Sequence, residues 1–396
     1  MVRRIGNTIE HYMVMFLPLI FSVGRFIPGI ETIATLFTMV ILIIDQCRLK
    51  RNFIKYIVIC CLFITSGIMG TEYSMHIDHI KPMIIIFLAF DATNGRLYNR
   101  ILTHIKKYQD IILKQLIVVL IINLVLMFSS IGYSSAYGEM WGLNAYQGMY
   151  YDPHQCAYHI CALLVILLWI GKIRFKPYYY WIMIGFEYCV LITGARVPTV
   201  LALILGVIFI IDHFVRPNSI KDGIEKILRY LILVLLAVVV IYIIMKYTNF
   251  GYKILTGISD QNFDNGRGHL RERDLELFMN SNIMHKLFGY GTDAVIAYHG
   301  SFAYSPAIWS HNDFSQVMVG MGALMLLIYS FYWLKYLGIA IKKSFMYVIV
   351  VITLIIVAYL NGMYIHTRFT FVMPLLFMYM ESRRKNTDKS GVNYNG

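Results

Sequence analysis

The stretch Leu116-Ile117-Val118-Val119-Leu120-Ile121-Ile122-Asn123-Leu124-Val125-Leu126-Met127-Phe128-Ser129 decides the fold class, and Leu231–Met245 repeats its message. Crossing a bilayer takes roughly 20 mostly apolar residues in a row, and both runs reach that length once their flanks are counted. The hydrocarbon core offers no water to backbone N–H and C=O groups, so such runs are helices. The whole chain agrees, with 58% hydrophobic and only 14% charged residues. A soluble domain carries about 25% charged residues. Too few charges are present to coat a water-soluble surface. The reading is an all-α, polytopic membrane protein.

Apolar runs of this kind predict spans over residues 9–24, 27–45, 53–70, 77–92, 111–131, 155–171, 178–194, 197–214, 227–247, 312–334, 344–361 and 363–380. That is about twelve transmembrane helices. Only Ala195 and Arg196 interrupt the pair at 178–214, which predicts a helical hairpin. Basic residues give the orientation. Arg3 and Arg4 precede the first span, and clusters follow alternate spans: Arg48 to Lys55, Arg96 to Lys107, Lys172 to Lys176, Arg216 to Arg229, Lys335 to Lys343 and Arg383 to Lys385. All fall on one side, so both termini are expected in the cytoplasm. The net charge of +13 is then topological and is not a sign of nucleic-acid binding. No small-residue cleavage site follows Arg3 and Arg4, so the N-terminal stretch is read as a first span rather than a removed signal.

Four regions follow: helices one to nine over 1–247, a long extracytoplasmic loop over 248–311, helices ten to twelve over 312–380, and a polar, disordered cytoplasmic tail over 381–396. A loop of that length is uncommon unless functional or disordered. Its middle, Leu270–Phe288, carries Leu270, Asp274, Leu277, Phe278 and Met284 at near-helical spacing, which predicts one or two amphipathic surface helices. The cysteines lie in or beside spans and none falls in the loop, so no disulfide is expected, and CxxC zinc spacing is absent.

The polar residues with chemical potential crowd the extracytoplasmic half. Arg196, beside Gly194 and Pro198, stands where two helices meet; an arginine there either anchors in the interface or serves a cavity opened by the helix break. Arg267 lies between Gly266 and Gly268 at the apparent start of a helix, whose free N–H groups and positive dipole end suit phosphate, although Glu272 and Asp274 also offer ordinary salt-bridge partners. His311 and Asn312 open the tenth span, the first able to take a proton, the second able to cap. Arg368, with His366, enters the last span from outside and is a further phosphate candidate. Asp152 and His154 open the sixth span. His76, Asp78 and His79 form a loose metal-ligand pattern that carries no metal assignment. Arginines beside a histidine at a membrane surface suit an anionic, lipid-linked substrate: the guanidiniums hold a diphosphate leaving group, and the histidine deprotonates or orients an acceptor hydroxyl.

In family order, Thr193-Gly194-Ala195-Arg196, Gly266-Arg267, Gly289-Tyr290-Gly291, His311-Asn312-Asp313-Phe314 and Gly320-Met321-Gly322 resemble the O-antigen polymerase and ligase family, which includes polymerases of capsular repeat units. The resemblance is concentrated in residues 150–330. It implies a fold related to C-type membrane glycosyltransferases and an active site outside the cytoplasmic membrane. It implies undecaprenyl-diphosphate-linked glycans as donor and acceptor, with metal-independent inversion at the anomeric carbon and no cofactor. Arg196 and Arg267 would contact the diphosphate, and His311 would stand near the acceptor. A chain-length regulator and a flippase are implied as partners. Two departures stand out. Asp152-Pro153-His154 replaces a family Asp-Pro-Asn, and Ala195 stands where serine is frequent. Polymerase is favoured over a ligase that transfers finished glycan to lipid A core or a wall acceptor. A transporter would place charges deep in its spans, whereas Glu187 and Asp45 are isolated candidates.

Overall fold

The computed structural model describes residues 12, 14–22, 26, 27, 29–47, 53–70, 77–92, 96–134, 145–215, 228, 231, 232, 241–259, 267–301 and 309–382. Several sequence readings fall outside these residues: Arg3 and Arg4, most of the span at 227–247, Gly266, His76 and the tail beyond Ser382. The helices are α1 (Leu17–Ser22), α2 (Ile30–Cys47), α3 (Phe53–Met69), α4 (Ile77–Ala92), α5 (Arg96–Lys107), α6 (Gln109–Leu126), α7 (Pro153–Ile173), α8 (Tyr179–Thr193) and α9 (Arg196–Ile210). There follow α10 (Asn249–Ser259), α11 (Arg267–Asn280), α12 (Ile283–Phe288), α13 (Ala294–Gly300), α14 (Asp313–Lys343), α15 (Phe345–Asn361) and α16 (Thr367–Ser382). Four helical segments are long and apolar enough to cross a membrane: α6, α7, α9 with its continuation to Phe214, and α14. Shorter apolar helices lie at Thr32–Asp45, Ile54–Met69, Tyr179–Thr193 and Phe345–Asn361. The chain divides into two compact units, Met1–Glu31 with Arg100–Phe263, and Thr32–Asn99 with Asp264–Gly396.

The first unit is built around α7. Every residue from Cys156 to Gly171 is buried, as expected for a helix apolar on all sides, and α1, α6, α8 and α9 pack around it. The expected hairpin at 178–214 is present. Gly194 takes a left-handed conformation (φ 65°) that ends α8, which glycine does without steric cost. The Thr193 hydroxyl accepts the Ala195 N–H at 3.1 Å, and α9 begins at the next residue. A short antiparallel ribbon, β1 (Tyr133–Ser134) with β2 (Ala145–Tyr146), closes over α6, where the Tyr146 hydroxyl donates to the Asn123 carbonyl at 2.7 Å.

The second unit is organised by α14, and here the sequence reading needs correction. A single span was expected over 312–334. The helix instead breaks at Gly322 (φ 80°, ψ 174°), a conformation essentially confined to glycine. Along a straight helix residues 313 and 329 would stand about 24 Å apart, yet the Tyr329 hydroxyl donates to Asp313 Oδ2 at 2.9 Å. The chain therefore folds back on itself. Residues 313–321 form a half-helix, and residues 323–343, rising about 31 Å, hold the membrane-crossing length. Leu327, Phe331, Leu334 and Ile341 line one face of that second half, each about two-thirds exposed. An exposed apolar face of this kind is what a surface in contact with lipid or another protein carries.

Glycines lock the fold-back. Tyr290 N–H donates to the Val319 carbonyl and Gly291 N–H to the Gly320 carbonyl, both at 2.9 Å. The Ser66 hydroxyl of α3 donates to the same Gly320 carbonyl at 2.6 Å. A Cβ on Gly289 would stand 2.5 Å from the Gly320 backbone, and one on Gly322 would stand 2.3 Å from the Leu287 carbonyl oxygen. Further along, Asp91 of α4 accepts the Tyr56 and Tyr332 hydroxyls at 2.8 Å and pairs with Lys55. The basic cluster Arg96 to Lys107, which the sequence reading placed between two spans, is the helix α5: Leu97, Tyr98, Ile101 and Ile105 are buried, and His104, Lys106 and Lys107 sit in its last turn, where the helix dipole favours cations. The stretch read as a long loop, 248–311, holds α10, α11, α12 and α13, and its middle, where one or two helices were expected, holds two, α11 and α12.

Candidate functional site at the start of the broken helix

His311 is the only non-glycine residue with positive φ (52°) among the described residues. Histidine tolerates that region better than bulky or branched residues do. The turn aims its ring at the C-terminus of α15, where it donates to the Asn361 carbonyl. Arg267, the first described residue of α11, reaches the same place, and its Nη1 donates to the Leu360 carbonyl at 3.0 Å. The last carbonyls of a helix lack intrahelical partners and carry the negative end of its dipole. One helix terminus thus gathers the two residues that the sequence singled out separately.

The frame around them is tight. Asp313 Oδ1 accepts the Met363 N–H at 2.8 Å and the Tyr364 N–H at 3.4 Å. Asn312 acts as the expected cap, its Oδ1 accepting from Phe314 and Ser315 at 2.9 and 3.2 Å. Burial pushes the His311 imidazole down to about 4, helped by the like charge of Arg267 and by His299, while the Asn361 carbonyl opposes the shift. His311 is therefore neutral at neutral pH, with one nitrogen donating to Asn361 and the other left as an acceptor.

Arg368 is the second residue of α16 and is 5% exposed. An interfacial anchor keeps its head in water, so burial argues against that reading. His366, in the turn before it, is close enough to feel the His311 charge. The remaining candidates belong to the first unit. Arg196 opens α9 and is half-buried. Asp152 caps α7, its Oδ1 accepting the Gln155 N–H at 2.9 Å, and His154 lies in that helix's first turn. The second unit thus holds Arg267, His311, Asn312 and Arg368, and the first holds Arg196, Asp152 and His154.

Two residues escaped the sequence reading as a pair. Asp274 of α11 and His299 of α13 approach to 2.9 Å with both side chains fully buried. Glu272 and Asp274 were weighed as ordinary salt-bridge partners for the arginines; both approach histidines, Glu272 lying 3.3 Å from His269. The one signal available was that Asp274 follows Arg267 by two helical turns and so shares its face. Among the described residues no three histidine, cysteine, aspartate or glutamate side chains group as a metal site. Comparison with known protein families and with curated proteins finds no match.

Proposed function

We propose that this chain polymerises lipid-diphosphate-linked glycan repeat units at the outer face of the cytoplasmic membrane. The observation that carries the reading is the placement of arginines at helix starts. Arg196 is first in α9 and Arg368 second in α16. A cation at a helix N-terminus opposes the dipole, so helix stability does not account for these two, whereas Arg267 reaches a C-terminal carbonyl of α15, which suits its charge. An anion at either helix start would meet free N–H groups and a guanidinium fork together, which is what a diphosphate needs.

In this reading the acceptor hydroxyl oxygen attacks the anomeric carbon, and the carbon–oxygen bond to the diphosphate breaks with the electron pair leaving on the diphosphate. Arginines stabilise the charge that develops there. His311 orients the acceptor hydroxyl through its accepting nitrogen and takes the proton as the bond forms. An imidazole held near 4 is a weak base. Burial is the larger cause of that low value; the arriving diphosphate offsets the smaller part contributed by the Arg267 charge, so donor binding raises the basicity of His311.

The test is the purified protein in nanodiscs with a lipid-diphosphate-linked repeat unit as sole substrate, read on a gel. A ladder that persists in chelator is expected. Transfer only after addition of lipid A core or a wall acceptor would make the chain a ligase. No transfer to either acceptor with the native repeat unit would overturn the reading.

A further inference from the structure

We propose that the hydroxyls of Thr292, Ser310 and Tyr364 form a subsite for the terminal sugar of the acceptor glycan beside His311, an inference that rests on the polymerase reading above. The three residues are 2%, 1% and 2% exposed. None of their hydroxyls has a hydrogen-bonding partner among the described residues. They belong to three separate turns. Thr292 stands between α12 and α13, Ser310 just ahead of α14, and Tyr364 between α15 and α16.

Direct contacts bring these turns together at the half-helix 313–321. The Gln316 Nε2 donates to the Thr292 carbonyl at 3.0 Å, and Oε1 of the same side chain accepts the Ser310 N–H at 3.4 Å. One amide therefore spans two of the turns. The Tyr364 N–H donates to Asp313 Oδ1 at 3.4 Å, and the Tyr364 ring meets Trp309 edge-on with centroids 5.9 Å apart. Ser310 follows Trp309 in the chain, and His311 follows Ser310. A Cβ on Gly362 would stand 3.6 Å from the His311 carbonyl carbon, so the third turn runs against the backbone of His311 itself.

The neighbouring polar side chains are engaged by the protein: Asn312 caps α14, Asp313 accepts from Tyr329, Met363 and Tyr364, and Gln316 bridges the turns. The three hydroxyls are left over. A buried hydroxyl without a partner lowers stability, and valine, alanine or phenylalanine would fill the same space without that penalty. A ligand or an ordered water that supplies the missing partners removes it. Hydroxyls are neutral, and each both donates and accepts. They match a neutral, hydroxyl-rich ligand rather than a diphosphate, whose charge calls for arginine. A sugar ring has that chemistry. Next to His311, it belongs to the acceptor and not to the leaving group.

The test separates binding from folding. The probe is the free repeat-unit oligosaccharide, cleaved from its lipid diphosphate by mild acid, and its affinity for the protein in nanodiscs is read by saturation-transfer NMR. Thr292→Val, Ser310→Ala and Tyr364→Phe each remove one hydroxyl with little change of shape. Each should weaken binding roughly tenfold, while the thermal midpoint in detergent stays level or rises. Unchanged affinity in all three variants would mean that ordered water alone meets the hydroxyls, and would overturn the proposal. Midpoints that fall by several degrees in all three would show that the hydroxyls serve the fold, and would overturn it too. The unaltered protein judges the polymerase reading separately. Oligosaccharide binding without a ladder would retire that reading and keep a glycan site; a ladder without such binding would do the reverse.

Discussion

At His311 a strained backbone and a neutral ring coincide. A side chain held at positive φ stores of order 1 kcal/mol or more, and such residues cluster at functional sites. Asparagine tolerates the same conformation, so His311→Asn should keep the thermal midpoint within a few degrees and abolish the polymer ladder. An unchanged ladder would remove His311 from the chemistry. Its titration also sets a pH dependence. The folded imidazole is held near 4 against an ordinary value near 6.5, so the unfolded chain binds the extra proton first. The stability cost of His311 accrues as pH falls from 6.5 and is complete below about 4. In an NMR titration of the folded protein the His311 ring should stay neutral through pH 6. Arg267→Ala should remove polymer while leaving membrane insertion intact; full-length product would refute its role. Asp152 calls for a different substitution, because its oxygen is committed to the α7 cap. Asp152→Ser preserves a cap and should preserve activity if capping is its whole role, whereas Asp152→Ala should cost about 1 kcal/mol of stability.

Gly322 decides most at the level of elements. Its conformation excludes side chains, and a Cβ would collide with the Leu287 carbonyl. Gly322→Ala should therefore destabilise by at least about 2 kcal/mol, seen as a lower unfolding midpoint in detergent; an unchanged midpoint would mean the fold-back does not depend on glycine. The hairpin of α8 and α9 was legible in the sequence because Ala195 and Arg196 interrupt the apolar run, a local signal that needs no tertiary partner; the structure adds that Gly194 ends α8. The fold-back in α14 was not. Apolar residues continue through Gly320-Met321-Gly322, and hydropathy cannot tell a straight helix from two halves that meet again. The glycines were noted as a motif. Their role in packing backbone against backbone with Gly289 and Gly291 emerges only when both segments are in place.

For the whole molecule the question is what surrounds it. Cys60 and Cys61 of α3 are exposed on a helix whose neighbouring residues Ile57, Val58, Ile64 and Ile68 are also exposed. If lipid covers that face, a water-soluble maleimide should fail to label either cysteine in bilayers and should label both in denaturing detergent. Rapid labelling in bilayers would contradict the membrane-facing reading. The sequence by itself determined the solvent and the class of element, because an uncharged run of crossing length leaves the backbone no choice but a helix. It also picked out Arg267 and His311 as chemically unusual, since charge and titratable groups are rare in so apolar a chain. The tertiary structure alone decided that these two share the C-terminus of α15, that Asp274 pairs with His299, and that the tenth apolar run turns back at Gly322. Each of these depends on groups far apart in the chain, where neither periodicity nor spacing carries information about which surfaces will meet.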